Sequence, residues 1–198
     1  MPRTGKSYLM GKLIRQCSRV IVMDTVNQYG NGPRQNPLPG FVEISQPGRL
    51  IDYLRKHRFG KFQILYKPGY YAEKHFEAVA RIILEVRDVV FAVDEMWHFC
   101  KPGWMPEPLR FMVRAGRHRG VTLVYTAQFP ANVARDLTAA STDLRVFRLI
   151  EPRDLESLKG RLVPEYLARV PKLPDRTHLW RDEVSAVRMI APNGKTPR

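Results

Sequence analysis

Short apolar runs alternate along the chain with longer segments whose apolar residues recur at helical spacing. Four of the runs have the length and composition of buried strands: residues 19–24, 61–67, 89–93 and 121–126. The segments with helical spacing are residues 7–17, 46–58, 72–87 and 107–119. Strands that alternate with helices in this way predict an α/β fold with a mostly parallel sheet and helices on both faces.

The C-terminal part of the chain has shorter patterns. Residues 163–170 have the length of a short helix, and residues 178–180 and 186–190 are predicted to pair as a hairpin. No change in composition marks a linker, so we predict a single domain over residues 1–190. The basic tail, residues 191–198, is predicted to be disordered.

The residues that precede the first predicted helix, Met1 to Ser7, have the sequence MPRTGKS. Gly-Lys-Ser directly before a helix is the second half of a phosphate-binding P-loop, G-x-x-x-x-G-K-[ST]. Backbone N–H groups at such a helix start bind phosphate, Lys6 supplements them, and Ser7 is placed to reach Mg²⁺. We therefore predict that ATP, with Mg²⁺, binds at Thr4, Gly5, Lys6, Ser7 and Tyr8.

The first glycine of this motif is expected one residue before Met1, and the strand that normally delivers the loop is not in the sequence. Two interpretations follow: a P-loop protein truncated at its N-terminus, or a chance match of Gly-Lys-Ser in a basic chain. Truncation predicts that the sheet lacks its first strand, and that Met1 is an internal methionine or a fragment boundary.

Two carboxylates at the end of a buried strand supply the other half of such a site. Residues 89–93 are apolar and lead into Asp94 and Glu95, which is the Walker B arrangement of a P-loop NTPase. There Asp94 holds Mg²⁺, and Glu95 takes a proton from the attacking water. An Asp-Glu pair can also begin a turn, but its occurrence with Gly-Lys-Ser favours a nucleotide-hydrolysing site. Asp24, at another strand end, either touches this site or caps the next turn.

Polar residues on either side of the strand at 121–126 extend the predicted site. The amide of Gln128 is suited to sense the γ-phosphate or to orient the attacking water, although a strand-end hydrogen bond is the simpler role. At about 100° per residue, Arg110, Arg114 and Arg117 share one stripe of the helix at 107–119, and Arg119 points the opposite way. Such a stripe either contacts phosphates, of DNA or of a neighbouring subunit's nucleotide, or forms a solvated basic face.

The charge balance indicates the class of partner. The 198 residues include 33 Lys and Arg against 19 Asp and Glu, for a formal net charge of +14. This excess favours a polyanion, with nucleic acid first, an anionic membrane surface second, and docking onto an acidic protein as the alternative. No apolar run has the length of a membrane span, and Cys17 and Cys100 are interpreted as reduced thiols of a cytoplasmic protein.

The segment from Gly116 to Pro130, GRHRGVTLVYTAQFP, resembles the region after Walker B in the HerA/FtsK superfamily of DNA-pumping ATPases. Residues 142–149 and the following EPRDLESLKGRL are similar to the next strand and helix of that family, so the resemblance covers about residues 5–165. One departure is Thr-Ala-Gln at 126–128, where the family has Thr-Gln or similar. The resemblance implies a RecA-like fold and a homo-oligomeric ring, usually a hexamer, that moves double-stranded DNA through its centre.

The resemblance also implies that an arginine completes the site of the neighbouring subunit. By its spacing before Gly120, Arg117 is the first candidate for this finger and Arg114 the second, with Arg119 less favoured. The small size is similar to that of genome-packaging ATPases of membrane-containing viruses, which implies a capsid or portal protein as partner and a location in the host cytoplasm or the virion. DNA is expected at loops that contain Arg34, Lys67 and Lys101.

Two other functions stay open at this point. A filamentous-phage assembly ATPase related to zonula occludens toxin shares the Arg-His-Gly pattern before its strand, but that family usually has a membrane span. A nucleic-acid-binding subunit that has lost hydrolysis would only dock to a motor. The intact pair of Asp94 and Glu95 is evidence against this last alternative.

Overall fold

The structure, a computed structural model, describes residues 5–30, 32, 35–182 and 186–192. The chain divides into two compact units. One, here termed the sheet unit, is Ser7–Gln128, and the other, the C-terminal unit, is Phe129–Arg198 together with Met1–Lys6. The single domain over residues 1–190 stays a prediction.

Five parallel strands form the sheet unit's sheet: β1 (Arg19–Met23), β2 (Val42–Ile44), β3 (Phe62–Tyr66), β4 (Val89–Val93) and β5 (Val121–Tyr125). Their spatial order is β2-β3-β1-β4-β5. β1, β3 and β4 are almost entirely buried, as their apolar sequences predict. β5 lies at the edge of the described sheet and is only partly buried. The carboxyl ends of β1, β4 and β5 meet at one edge, which brings together Asp24, Asp94 and Thr126.

Helices cover both faces of this sheet because successive side chains of a strand point to opposite sides. On one face, Met10 of the first helix and Val22 of β1 belong to the same buried cluster. On the other face, Phe76 of the third helix lies 6.0 Å from Phe91 of β4, between ring centroids. The predicted α/β fold is confirmed. The helices of this unit are α1 (Lys6–Ile14), which belongs to it from Ser7 onward, α2 (Pro47–Lys56), α3 (Ala72–Val86) and α4 (Glu107–Ala115).

The C-terminal unit contains an antiparallel sheet of β6 (Leu144–Phe147), β7 (His178–Arg181) and β8 (Val187–Ile190), in that order. Its helices are α5 (Arg135–Ala140), α6 (Pro152–Ser157) and α7 (Pro164–Leu167). One face of the sheet packs Val146 and Leu179 into a cluster with Leu158 and Val170. The predicted hairpin and the short helix after residue 163 are confirmed. Residues 193–198 of the basic tail lie outside the described residues.

The predicted helix over residues 107–119 ends earlier than expected. α4 stops at Ala115, and residues 116–119 continue as a 3₁₀ helix. Gly120 then takes a positive φ of 67°, which turns the chain into β5. A 3₁₀ helix advances about 120° per residue instead of about 100°. The position of Arg117 on one helical stripe with the two earlier arginines stays a prediction.

Candidate nucleotide-binding site

The start of α1 has the geometry of an anion-binding helix terminus. Gly5 precedes the helix with a positive φ of 99°, a conformation that glycine adopts without steric cost. Lys6 and Ser7 are the first residues of α1, the positions whose N–H groups bind anions in other helices. Tyr8 is exposed on the helix surface, and Thr4 lies outside the described residues. The described members of the predicted phosphate-binding set thus form one continuous turn.

Asp94 is fixed at the carboxyl end of β4 and is 1% exposed. Its N–H donates to the carbonyl oxygen of Met23 at 3.1 Å, which ties it to β1. The hydroxyl of Thr126, directly after β5, donates a hydrogen bond to Oδ1 of Asp94. The same hydroxyl oxygen accepts from the N–H of Glu95 at 3.0 Å. Thr126 therefore orients both acids, a role absent from the sequence predictions. Its only signal there is a polar residue at the end of a strand.

Glu95 has a backbone conformation that is rare for a residue with a side chain. Its φ of 56° and ψ of 59° lie in the left-handed region, which costs roughly 1–3 kcal/mol outside glycine. Its Oε2 accepts from Nε1 of Trp97 at 2.7 Å and from the N–H of Gln128 at 2.9 Å. These bonds and the one to Thr126 offset the strain. Strained residues that are held in this way cluster at functional sites.

Gln128 reaches the predicted site through its backbone. Its N–H donates to the carboxylate of Glu95, which places residue 128 beside the predicted base. Proximity to Glu95 is what the predicted role requires. The contact of its side-chain amide with a γ-phosphate or with the attacking water stays a prediction.

A buried tyrosine connects α1 with the acidic end of the sheet. Tyr29 is 1% exposed, and its hydroxyl donates to the carbonyl oxygen of Ser7 at 3.4 Å. Burial raises the pKa of Tyr29, and the negative charges of Asp94, Asp24 and Glu95 raise it further. Charges perturb a titrating group in this way when they lie near it. Ser7, the predicted Mg²⁺ ligand Asp94 and the predicted base Glu95 therefore share one neighbourhood within the sheet unit.

Asp24 caps the turn that leads to Tyr29. It is 2% exposed, and its carboxylate accepts from the N–H of Gln28 at 2.7 Å and from the N–H of Tyr29 at 3.0 Å. Burial raises the pKa of this carboxyl group, and the two N–H donors oppose that change. The sequence left two roles open for Asp24, and these contacts are those of a residue that caps the turn.

Ser7 and Asp94 offer the kind of ligand that Mg²⁺ takes, a hydroxyl and a carboxylate oxygen. Within the part of the chain that the structure describes, no three His, Cys, Asp or Glu side chains are grouped so as to hold a metal ion. A Mg²⁺ ion at Ser7 and Asp94 would therefore take its other ligands from water and nucleotide phosphates, as Mg²⁺ commonly does.

The candidate arginine fingers differ in their contacts. Arg114 and Arg117 are exposed, and neither forms an ion pair with any of the described residues. Arg119 donates from Nη1 to the carbonyl oxygen of Leu84 at 3.0 Å. Its guanidinium also lies over the ring of Phe111, with Cζ 5.4 Å from the centroid. Arg119 thus ties the end of α4 to α3, which agrees with its low rank as a finger.

The residues predicted to face DNA have different environments. Lys67 pairs with Glu43, with 2.7 Å between Nζ and Oε1. Lys101 lies in a tight turn that two backbone hydrogen bonds to Trp104 close, each 2.9 Å long. Trp104 is 54% exposed, so this turn presents an aromatic ring and a cation to the surroundings. Arg34 lies outside the described residues.

No protein-family model matches the chain, and no curated protein does either. Solved structures match it over nearly its whole length. The genome packaging NTPase B204 from Sulfolobus turreted icosahedral virus 2, in complex with AMPPCP, matches with a TM-score of 0.73 and 15% identity over 96% of this chain and 93% of that chain. The same NTPase in complex with ATP-gammaS matches with a TM-score of 0.73 and 16% identity over 96% of this chain and 92% of that chain.

B204, the DNA-packaging ATPase from Sulfolobus Turreted Icosahedral Virus, matches with a TM-score of 0.67 and 17% identity over 96% of this chain and 93% of that chain. Structural similarity at this low sequence identity establishes the fold alone. The predicted resemblance is confirmed to that extent: the chain has the α/β fold of the B204 structures.

Proposed function

We propose that this chain is an ATP-hydrolysing translocase for double-stranded DNA and serves as a subunit of a viral genome-packaging motor. The observation that carries the proposal is the pair of acids at the end of β4. Asp94 and Glu95 are oriented by Thr126, and Tyr29 links their surroundings to Ser7 at the start of α1. A phosphate-binding turn, a Mg²⁺ ligand and a base are the parts that P-loop nucleotide hydrolysis requires.

The residues of the site divide the proposed reaction among them. Gly5, Lys6 and Ser7 bind the phosphates of ATP through backbone N–H groups and the ammonium group of Lys6. Ser7 and Asp94 hold Mg²⁺, which when bound neutralises phosphate charge. Glu95 accepts the proton of the water that attacks the γ-phosphate, and Gln128 orients that water.

An arginine of the neighbouring subunit completes the proposed site. Arg117 is the first candidate and Arg114 the second, because both are exposed and form no ion pair among the described residues. A guanidinium in this situation is available to stabilise charge on the transferring phosphoryl group of another subunit. Such a contact requires adjacent subunits, and by family resemblance we propose a hexameric ring.

Double-stranded DNA and a capsid or portal protein are the proposed partners. The net charge of +14 and the exposed turn with Lys101 and Trp104 support a polyanionic partner. Arg34 and Lys67 are weaker candidates, since Lys67 is already paired with Glu43. Within the described ranges, no helix has the length and apolar character needed to cross a membrane. The similar B204 structures are of genome packaging NTPases in complex with ATP analogues, which supports nucleotide as the ligand.

Phosphate release from ATP by the purified chain, with and without double-stranded DNA, tests the proposal. We expect DNA to stimulate hydrolysis, and Lys6→Ala and Glu95→Gln each to lower kcat by about 100-fold or more, since each removes a group that acts on the transition state. Lys12→Ala is the matched control, because Lys12 is an exposed lysine on the same helix. It is expected to leave kcat unchanged.

DNA affinity measured over a range of salt concentrations completes the test. Affinity is expected to fall steeply as salt rises, because cationic side chains displace counterions from phosphates. Turnover that survives Glu95→Gln would remove Glu95 as the base. Salt-sensitive DNA binding without any hydrolysis would instead identify a nucleic-acid-binding subunit that only docks to a motor.

A further inference from the structure

An indole nitrogen contacts the proposed base. Nε1 of Trp97 donates to Oε2 of Glu95 at 2.7 Å, a distance typical of a charge-assisted hydrogen bond. Trp97 lies in the 3₁₀ helix Met96–His98, which begins directly after Glu95. Its ring stacks on His98, with centroids 3.9 Å apart. The donor is therefore supplied by the segment that follows the acid in sequence.

Buried residues anchor the segment on both sides of Trp97. Met96 is 0% exposed, and its N–H donates to the carbonyl oxygen of Thr126 at 2.8 Å. Phe99 stacks on Phe76 of α3, with centroids 4.1 Å apart, and its N–H donates to the carbonyl oxygen of Met96 at 2.9 Å. A residue between two buried anchors has little freedom to move, so the indole keeps a defined position relative to Glu95.

The two hydrogen bonds to the carboxylate of Glu95 share one oxygen. Trp97 and the N–H of Gln128 both donate to Oε2, and none of the described residues donates to Oε1. A carboxylate held in this way has a defined plane and keeps one oxygen to accept a proton from water. With a single donor, the group would regain rotation about its terminal side-chain bonds.

We propose that Trp97 is a positioning residue that orients Glu95 for proton transfer from the attacking water. This inference rests on the proposed ATP hydrolysis and adds a residue to that site. Trp97 acts on the base, and the phosphate-binding turn is formed by other residues. Its loss therefore lowers the rate of the chemical step and leaves nucleotide binding unchanged.

Trp97→Phe tests the inference because it keeps an aromatic ring and removes the N–H donor. Trp180→Phe is the matched control, since Nε1 of Trp180 also donates to a carboxylate, Oδ2 of Asp143, at 2.7 Å. We expect Trp97→Phe to lower kcat about tenfold, as for loss of one of two charge-assisted hydrogen bonds. The KM for ATP is expected to stay within about twofold of the wild-type value in both variants, and Trp180→Phe to leave kcat unchanged.

A double-mutant cycle separates positioning from a general structural effect. Single-turnover rates are measured for Trp97→Phe in the wild-type and Glu95→Gln backgrounds. If Trp97 acts through the base, its substitution costs about tenfold in the first background and less than about twofold in the second. An equal loss in both backgrounds, or an unchanged kcat in the first, would overturn the inference.

Circular dichroism establishes whether Trp97→Phe folds, and Trp97→His is the second variant, since imidazole restores an N–H donor on a smaller ring. We expect Trp97→His to regain part of the lost kcat, whereas a loss equal to that of Trp97→Phe would assign the effect to ring volume and overturn the inference. If the wild-type chain does not hydrolyse ATP, the proposed function fails. If Glu95→Gln does not affect turnover, Glu95 is not the base and the positioning role fails with it. If Glu95→Gln abolishes turnover and Trp97→Phe has no effect, only the positioning role fails.

Discussion

Replacing Thr126 by valine is expected to destabilise the protein and to slow ATP hydrolysis at the same time. Valine keeps the shape of threonine but lacks the hydroxyl, so Asp94 loses a donor and the N–H of Glu95 loses its acceptor. Thr126 is only 8% exposed, so water cannot readily replace the missing group. Both acids of the proposed site are affected by one substitution.

The magnitude follows from the two hydrogen bonds. A bond to a charged group contributes about 1.5–3 kcal/mol, and a neutral one about 1 kcal/mol. We therefore expect Thr126→Val to lower the free energy of unfolding by about 2.5–4 kcal/mol. We also expect kcat to fall, because Glu95 has a left-handed backbone that its N–H bond to Thr126 helps to maintain.

Urea unfolding followed by circular dichroism measures the first effect, and phosphate release measures the second. Thr126→Ser keeps the hydroxyl and is expected to lose about 1 kcal/mol, the value of one buried methyl group. Thr122→Val is the matched control, because Thr122 is exposed on β5, the strand that leads to Thr126. A Thr126→Val protein as stable as Thr122→Val would refute the reasoning.

Two further predictions concern pH and the arginines. Burial, followed by the charge of Arg145, lowers the pKa of His178 to about 4, against about 6.5 in an unfolded chain. The neutral form is therefore favoured on folding, and the stability that it contributes above pH 6.5 is lost as the pH falls toward 4. Between pH 7 and pH 5, the free energy of unfolding of the wild-type protein is expected to fall by about 2 kcal/mol more than that of His178→Phe. Urea unfolding at the two pH values measures this, and identical pH dependence in both proteins would contradict it. Arg119→Ala is expected to cost about 1 kcal/mol of stability without loss of turnover. Arg117→Ala is expected to abolish turnover, with partial recovery in mixed rings, and equal turnover in the two arginine variants would argue against a finger at Arg117.

The secondary structure could be predicted largely from sequence because its periodicities are local. The apolar run at residues 89–93 predicted a strand buried on both faces, and β4 has those bounds. The P-loop residues were predicted before α1, and Lys6 begins that helix. The error at the end of α4 also has a local cause, since a 3₁₀ continuation preserves much of the helical spacing of apolar residues.

The choice between the two roles of Asp24 needed the structure. An aspartate after a strand is equally suited to a ligand site or to a turn, and the sequence contains no signal for either. The buried carboxylate accepts two N–H groups from the turn at Gln28 and Tyr29. Tyr29, at the end of this turn, donates from its hydroxyl to the carbonyl oxygen of Ser7. That contact depends on how α1 packs against the sheet.

Sequence alone predicted which chemical groups make up the site: a P-loop turn before α1, Asp94 and Glu95 after β4, and Gln128 after β5. Only the tertiary structure decided which donors hold each acid. Thr126 meets Asp94 across 32 positions of sequence, because β4 pairs with β5 in this sheet order. Contacts of this kind depend on which strands become neighbours, and no local pattern of apolar and polar residues specifies that choice.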